Sequence, residues 1–148
     1  MNIVMSGLEH SLAPIHLRER LSFTKLQNAE MIGKIYDFPY ISGCVLLSTC
    51  NRTELYLSCT EEVNPGELLC KAAGMEYTQY QQMFVTHSGH QAVQHLMEVS
   101  AGLRSRIWGE DQIISQVRDA VSIARQAHTT DPVLETLFRF AISAGKEV

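Results

Sequence analysis

Two segments with the pattern of β-strands stand only three residues apart, and this constrains the fold more than any other feature of the 148-residue chain. Residues 43–49 form an apolar run of strand length. Residues 53–59 alternate between apolar and polar side chains, which is the period of a half-buried strand. Because a parallel pair needs a much longer crossover, the sequence predicts an antiparallel hairpin with Cys50, Asn51 and Arg52 at its turn.

The remaining periodicities place further strands and helices around this hairpin. Their order, β-α-β-β-α-β followed by helices, predicts an α+β fold of the ferredoxin-like, split βαβ plan. Another α+β sandwich with the same strands is the alternative. We expect residues 1–105 to form the ferredoxin-like domain and residues 106–148 to be a helical extension that completes it. Asp131 followed by Pro132 is typical of a helix start, because an acid caps the helix and proline suits its first position. The other predicted elements are strands at 3–7 and 84–86 and helices at 15–21, 25–36, 65–73, 91–100, from 111 and from 132.

Composition excludes several classes of function. Twelve basic against sixteen acidic side chains give a net charge of −4, which argues against a general polyanion binder. No apolar run approaches the roughly 18–20 residues of a membrane span, and the N-terminus lacks the features of a signal peptide. We therefore expect a cytoplasmic protein with reduced thiols and no membrane contact. The chain has no G-x-G-x-x-G segment and no P-loop, so it shows no cradle for nucleotide phosphates.

The four cysteines divide into two kinds. Cys44, Cys59 and Cys70 lie in apolar patterns and are predicted to be buried, and no spacing among the four resembles a zinc site. Cys50 instead lies where the chain turns polar, two residues before Arg52. A nearby guanidinium favours the thiolate, which is the nucleophilic form of cysteine. The alternative is that Cys50 is an ordinary hairpin residue.

Two further segments contain side chains that could take part in catalysis or binding. His87, His90 and His95 are close in sequence, but their spacing suits one helical face poorly, so a zinc site is disfavoured. His95 is either a satisfied core histidine or a general acid or base. The segment 101–113 combines a small basic spot with one tryptophan, which is compatible with RNA contact or with ordinary solvent exposure.

Three segments in this order resemble the N-terminal catalytic domain of the glutamyl-tRNA reductase family. The resemblance covers essentially the whole chain, and the cysteine segment is its most specific part. Departures from the family pattern occur at Glu9, Arg104, Arg106, Trp108 and Asp111. The segments are Gly-Leu-Glu-His at 7–10 with Ala-Pro at 13–14, Ser-Thr-Cys-Asn-Arg-Thr-Glu-Leu-Tyr at 48–56, and His-Leu-Met at 95–97 through Gly-Glu at 109–110 to Gln-Val at 116–117.

The resemblance implies an activity. Members of the family reduce the glutamyl ester of glutamyl-tRNA(Glu) to glutamate-1-semialdehyde with NADPH, the first step of five-carbon tetrapyrrole (porphyrin and haem) biosynthesis. The family nucleophile corresponds to Cys50, which forms a thioester, and His95 would assist proton transfer. Arg52 would grip the glutamate carboxylate. The substrate-binding set implied by the resemblance is Thr49, Asn51, Arg52, Glu54, Ser105, Glu110, Gln112 and Gln116.

The resemblance also implies what this chain lacks. In the family an NADPH-binding domain and a helical dimerisation domain follow this region, so these 148 residues alone are expected to be unable to transfer hydride. The helix from Pro132 resembles the start of the helix that links the domains. The resemblance implies homodimerisation and delivery of the product to glutamate-1-semialdehyde aminomutase. It implies no metal ion. The competing hypothesis is a degenerate, non-catalytic module of the same fold that binds tRNA or a partner.

Overall fold

The computed structural model describes residues 2–104 and 113–146 and has an α+β architecture. Four antiparallel strands form one sheet in the order β2-β3-β1-β4, with helices packed around it. The strands are β1 (Asn2–Glu9), β2 (Ile41–Ser48), β3 (Arg52–Cys59) and β4 (Val85–Ser88); the α-helices are α1 (Ile15–Arg20), α2 (Lys25–Tyr36), α3 (Pro65–Ala72), α4 (Tyr77–Tyr80), α5 (His90–Ser100), α6 (Ile113–Gln126) and α7 (Pro132–Lys146); single 3-10 turns cover His10–Leu12 and Gln81–Met83.

The predicted hairpin is confirmed. β2 and β3 pair antiparallel, with Ser48 opposite Thr53 at the end nearest the turn. The main-chain N–H of Thr49 donates to the carbonyl of Arg52 at 2.9 Å and closes the turn. Cys50 therefore lies at the tip of the hairpin, between the end of β2 and the start of β3 and not within a strand.

The prediction that the second strand of the hairpin is half-buried is wrong, because every residue of β3 is buried. Its polar face lies under helices instead of facing water. The Tyr56 ring packs edge-on against Phe138 of α7, with 5.5 Å between ring centroids, and Glu54 contacts His95 of α5. Alternation in the sequence indicates that the two faces of a strand differ in polarity. It does not indicate whether a layer of helices covers the polar face.

The connection between α6 and α7 covers the outer edge of β2. The Cys44 N–H donates to the carbonyl of Thr129 at 2.7 Å, and the Thr129 hydroxyl donates to the carbonyl of Cys44 at 2.9 Å. Asp131 then begins α7 as predicted, because its Oδ1 accepts the Leu134 N–H at 2.9 Å. Within residues 2–104 and 113–146, no helix combines the length and apolar character that a bilayer crossing requires.

Gly43→Ala is expected to destabilise the protein through this cap. A Cβ on Gly43 would lie 2.6 Å from Asp131 Oδ1, so the carboxylate must move away from the start of α7. Losing such a cap costs about 1–2 kcal/mol in the free energy of unfolding, measured by urea denaturation. Gly33→Ala is the matched control, since its Cβ meets no atom within 4 Å on the exposed side of α2 and should stabilise by up to about 1 kcal/mol. Equal stability of Gly43→Ala and the wild type would contradict the account.

Candidate active site

Cys50 is the cysteine that the fold presents to solvent. Cys50 is exposed, whereas Cys44, Cys59 and Cys70 are buried, as the sequence predicts. Burial raises the pKa of the Cys70 thiol to about 11 and also raises the pKa of Cys44 and of Cys59. These three thiols are therefore protonated at neutral pH, and Cys50 is the accessible candidate nucleophile.

The turn that carries Cys50 is organised by Thr49. The Thr49 hydroxyl oxygen accepts the main-chain N–H groups of Asn51 and Arg52 at 3.1 and 3.2 Å. Thr49 itself is buried, and Asn51 is half-buried beside it. Thr49 thus positions the nucleophile's loop by accepting the amide protons of two residues of the tight turn.

The Glu54 carboxylate connects three side chains beneath this turn. Its Oε2 accepts from His95 Nε2 at 2.6 Å and from Arg52 Nη1 at 3.2 Å, and its Oε1 accepts from the Tyr56 hydroxyl at 2.8 Å. Glu54 is 2% exposed, Arg52 5% and His95 7%. The structure therefore brings Arg52, Glu54 and His95 into one buried cluster, next in sequence to Cys50.

The charge of Glu54 follows from this arrangement. Burial alone would raise its pKa, but the hydrogen bond and charge of His95, the charge of Arg52 and the hydrogen bond from Tyr56 together lower it. An ionised carboxylate only accepts hydrogen bonds, so His95 Nε2 carries the proton in that contact. In the neutral ring, Nδ1 is then the basic nitrogen. Nδ1 is buried and has no hydrogen-bond partner among the described residues.

Arg52 is held at two points. Besides Glu54, its Nη2 donates to the main-chain carbonyl of Arg104 at 2.7 Å. The Arg104 guanidinium in turn pairs with Glu98, with its Nη2 2.7 Å from Glu98 Oε1. Bonds to described residues use two of the five N–H donors of Arg52, which leaves donors that no residue in that part of the chain accepts.

Of the predicted residues that follow His95 in the sequence, only Gln116 lies in the part of the chain that the structure describes. Gln116, on α6, lines a cavity of about 200 Å³ together with Ser48 and Asn28, and its Oε1 is buried without a partner in the described part of the chain. Among the described residues it makes no hydrogen bond to the Glu54 cluster. Ser105, Glu110 and Gln112 lie outside the described residues, as do the departures at Arg106, Trp108 and Asp111.

The structure adds two residues that belong to the motifs of the resemblance but were not predicted as site residues. Tyr56 binds the second oxygen of Glu54, and His10 contacts the main chain at Cys50. The alternation of β3 places Tyr56 on the face of Glu54 and is the signal that identifies it. No local pattern relates His10 to a turn 40 residues away.

The clustered histidines form no metal site in the described ranges. The His87 ring lies 5.2 Å from the His95 ring between centroids. Over residues 2–104 and 113–146, no group of three or more His, Cys, Asp or Glu side chains is placed to hold a metal ion.

Comparison with known proteins assigns the chain to a family. The sequence model described as "Glutamyl-tRNAGlu reductase, N-terminal domain" matches residues 6–148. The chain belongs to this family. It is 47% identical to a protein named glutamyl-tRNA reductase from Acetivibrio thermocellus and 45% identical to one from Alkaliphilus oremlandii, each over 150 residues covering 100% of this chain.

A solved structure supports the same assignment for the fold. The glutamyl-tRNA reductase from Methanopyrus kandleri aligns with 98% of this chain at a TM-score of 0.71 and 29% identity, and the match covers 33% of that protein. This chain spans 45% of the length of the Acetivibrio and Alkaliphilus relatives. The cluster around Glu54 thus lies in a chain that matches the N-terminal domain of this family.

Glu54→Gln is expected to lower the free energy of unfolding by about 3–5 kcal/mol at neutral pH, measured by urea denaturation, because it leaves the buried Arg52 guanidinium without its counter-charge. Glu135→Gln is the matched control. It breaks an ion pair with Arg125 whose side chains are 33% and 58% exposed, and should cost less than about 1 kcal/mol.

The pH dependence of the Glu54→Gln effect tests the charge of Glu54. Its lowered pKa contributes stability that is complete above the unfolded carboxyl pKa of about 4.3 and is lost as the pH falls below it. The difference in unfolding free energy between the wild type and Glu54→Gln should therefore shrink on acidification below about pH 4. A difference that stays constant or grows over that range would contradict an ionised Glu54.

Proposed function

We propose that this chain is the part of a glutamyl-tRNA reductase that accepts the glutamyl group of glutamyl-tRNA(Glu) on Cys50, on the way to glutamate-1-semialdehyde and tetrapyrroles. One observation carries the proposal. An exposed cysteine lies at the tip of a hairpin whose next residues, Arg52 and Glu54, form a buried ionic cluster with His95. A nucleophile, a carboxylate-binding cation and an imidazole are the groups that transfer of a glutamyl ester needs.

The covalent step is a transesterification to sulfur. The Cys50 thiolate attacks the ester carbonyl carbon, the bond from that carbon to the ribose oxygen breaks, and a thioester forms. The proton released by the thiol goes to the ribose hydroxyl of the departing tRNA. His95 Nδ1 is suited to carry that proton, because Glu54 fixes the opposite ring nitrogen as a donor.

Arg52 is proposed to select glutamate. Its guanidinium retains N–H donors after binding Glu54 and the carbonyl of Arg104, and an arginine fork matches a carboxylate. Glu54 sets the plane of that fork, so its proposed role is to position Arg52 and His95 and not to bind substrate directly. Substrate contacts by Asn51, Gln116, Ser105, Glu110 and Gln112, and support by Thr49, complete the proposed site.

Reduction of the thioester is proposed to need the remainder of the longer relatives. This chain contains no G-x-G-x-x-G segment, so its residues do not fit the phosphates of NADPH. We propose that NADPH binding and homodimerisation belong to the part of the longer relatives that the chain does not span, and that an aminomutase receives the product.

The domain plan is proposed on the same basis. We propose that residues 1–105 are a ferredoxin-like domain and that 106–148 complete it and begin a linker helix. The strand order β2-β3-β1-β4 and the packing of α6 and α7 on the sheet support this division.

Glutamyl transfer to Cys50 can be tested directly. Purified protein is mixed with [¹⁴C]glutamyl-tRNA(Glu), quenched in acid and digested, and the labelled peptide is identified. The expected result is a thioester on the Cys50 peptide in the wild type and none in Cys50→Ser. Cys59→Ser is the matched control, since Cys59 is buried with its thiol donating to the carbonyl of Asn2, a bond that serine can keep.

Labelling at Cys50 that persists in Cys59→Ser supports the proposal. Equal labelling of the wild type and Cys50→Ser would contradict it. A wild type that binds glutamyl-tRNA without forming any adduct would favour the non-catalytic binding module instead.

A further inference from the structure

His10 holds the turn of Cys50 from the face of the sheet opposite to Glu54. Its Nδ1 donates to the main-chain carbonyl of Cys50 at 3.0 Å, because a carbonyl oxygen can only accept. Its own main-chain N–H donates to the carbonyl of Asn51 at 2.9 Å. His10 is 5% exposed, and its bond to the carbonyl of the exposed Cys50 is partly buried. Two successive carbonyl groups of the nucleophile's turn therefore depend on one residue.

The His10 ring is fixed at its second nitrogen as well. Nε2 lies 2.9 Å from the Thr53 hydroxyl oxygen, and it is the acceptor in this contact when Nδ1 holds the proton of the neutral ring. The one hydroxyl hydrogen of Thr53 is then shared between Nε2 and the main-chain carbonyl of Leu21, which lies 2.5 Å from the hydroxyl oxygen. Leu21 follows the end of α1 and is fully buried. The contact with Thr53 restrains the imidazole, and Nδ1 is held towards the carbonyl of Cys50.

The hairpin does not need this contact in order to close. The Thr49 N–H already binds the carbonyl of Arg52, and the Thr49 hydroxyl already accepts the amides of Asn51 and Arg52. The bond from His10 is added at the carbonyl of the nucleophilic residue itself. Its effect is to restrict rotation of the peptide that carries Cys50.

We propose that His10 is a positioning residue for glutamyl transfer, one that acts by fixing the main chain of Cys50 and does not touch the reacting atoms. The inference rests on the proposed function of Cys50 as acyl acceptor. A nucleophile must approach the ester carbonyl from a narrow range of directions, and a displacement of about 1 Å can slow a reaction by roughly a hundredfold.

Two substitutions separate the contacts of the ring. His10→Asn places an amide N–H near the position of Nδ1 and keeps a donor to the carbonyl of Cys50. His10→Gln places its amide near the position of Nε2 and keeps only the contact with Thr53. His16→Asn, at an exposed histidine of α1, is the control for loss of an imidazole.

The measurements are single-turnover transfer of glutamate to Cys50 and hydrogen exchange of the Asn51 and Arg52 amides. In His10→Gln we expect transfer to slow by about 10- to 100-fold, with less than about a threefold change in the half-saturating concentration of glutamyl-tRNA. Exchange of the two amides should rise about tenfold. In His10→Asn and His16→Asn, both quantities should stay within about threefold of the wild type.

Equal loss of transfer in His10→Asn and His10→Gln, or unchanged amide exchange in His10→Gln, would overturn the inference, since either result leaves the bond to the Cys50 carbonyl without a role. If the wild type formed no adduct, the proposed function would fail on its own. The amide exchange of the two variants would still decide whether His10 holds the turn.

Discussion

The arrangement of the site depends on a carboxylate that has been taken out of water. Burying an ionised group costs several kcal/mol unless partners replace its hydration. Glu54 recovers this cost through His95, Arg52 and Tyr56, which supply three hydrogen bonds to its two oxygens. Because each partner is itself buried, none can leave without exposing an unpaired charge or polar group to an apolar surrounding.

This cluster connects parts of the fold that the main chain does not connect. Glu54 and Arg52 lie on β3, His95 lies on α5, and the carbonyl that receives Arg52 belongs to Arg104 beyond that helix. A shift of α5 against the sheet would therefore disturb the imidazole and the guanidinium together. The two groups proposed to handle the proton and the substrate carboxylate keep a fixed relation to the hairpin that presents the thiol.

The pleat of β3 explains why the turn is held from both faces. Successive side chains of a strand point to opposite faces, so Thr53 points away from its neighbours Arg52 and Glu54. Thr53 meets His10 on one face while Glu54 meets His95 on the other. Cys50 is left at the tip, exposed to solvent but attached to a backbone whose carbonyl and neighbouring residues are fixed.

Local pattern in the sequence accounts for the hairpin, the buried cysteines and the start of α7 at Asp131-Pro132, because each depends on residues within a few positions of one another. The resemblance carried by three separated motifs identifies the family. The burial of both faces of β3 and the contact of Glu54 with His95 could not be predicted in this way. They depend on pairs such as Glu54 with His95, 41 residues apart, and His10 with Cys50, 40 residues apart. Periodicity contains no information on such pairs.

The protonation of the His95 ring tests the central claim most directly. In ¹⁵N-resolved NMR spectra of the histidine rings, the account predicts that neutral His95 carries its proton on Nε2, hydrogen-bonded to Glu54, and that Glu54→Gln weakens this preference. A neutral His95 protonated on Nδ1, or a ring that exchanges between the two forms as a free histidine does, would contradict it.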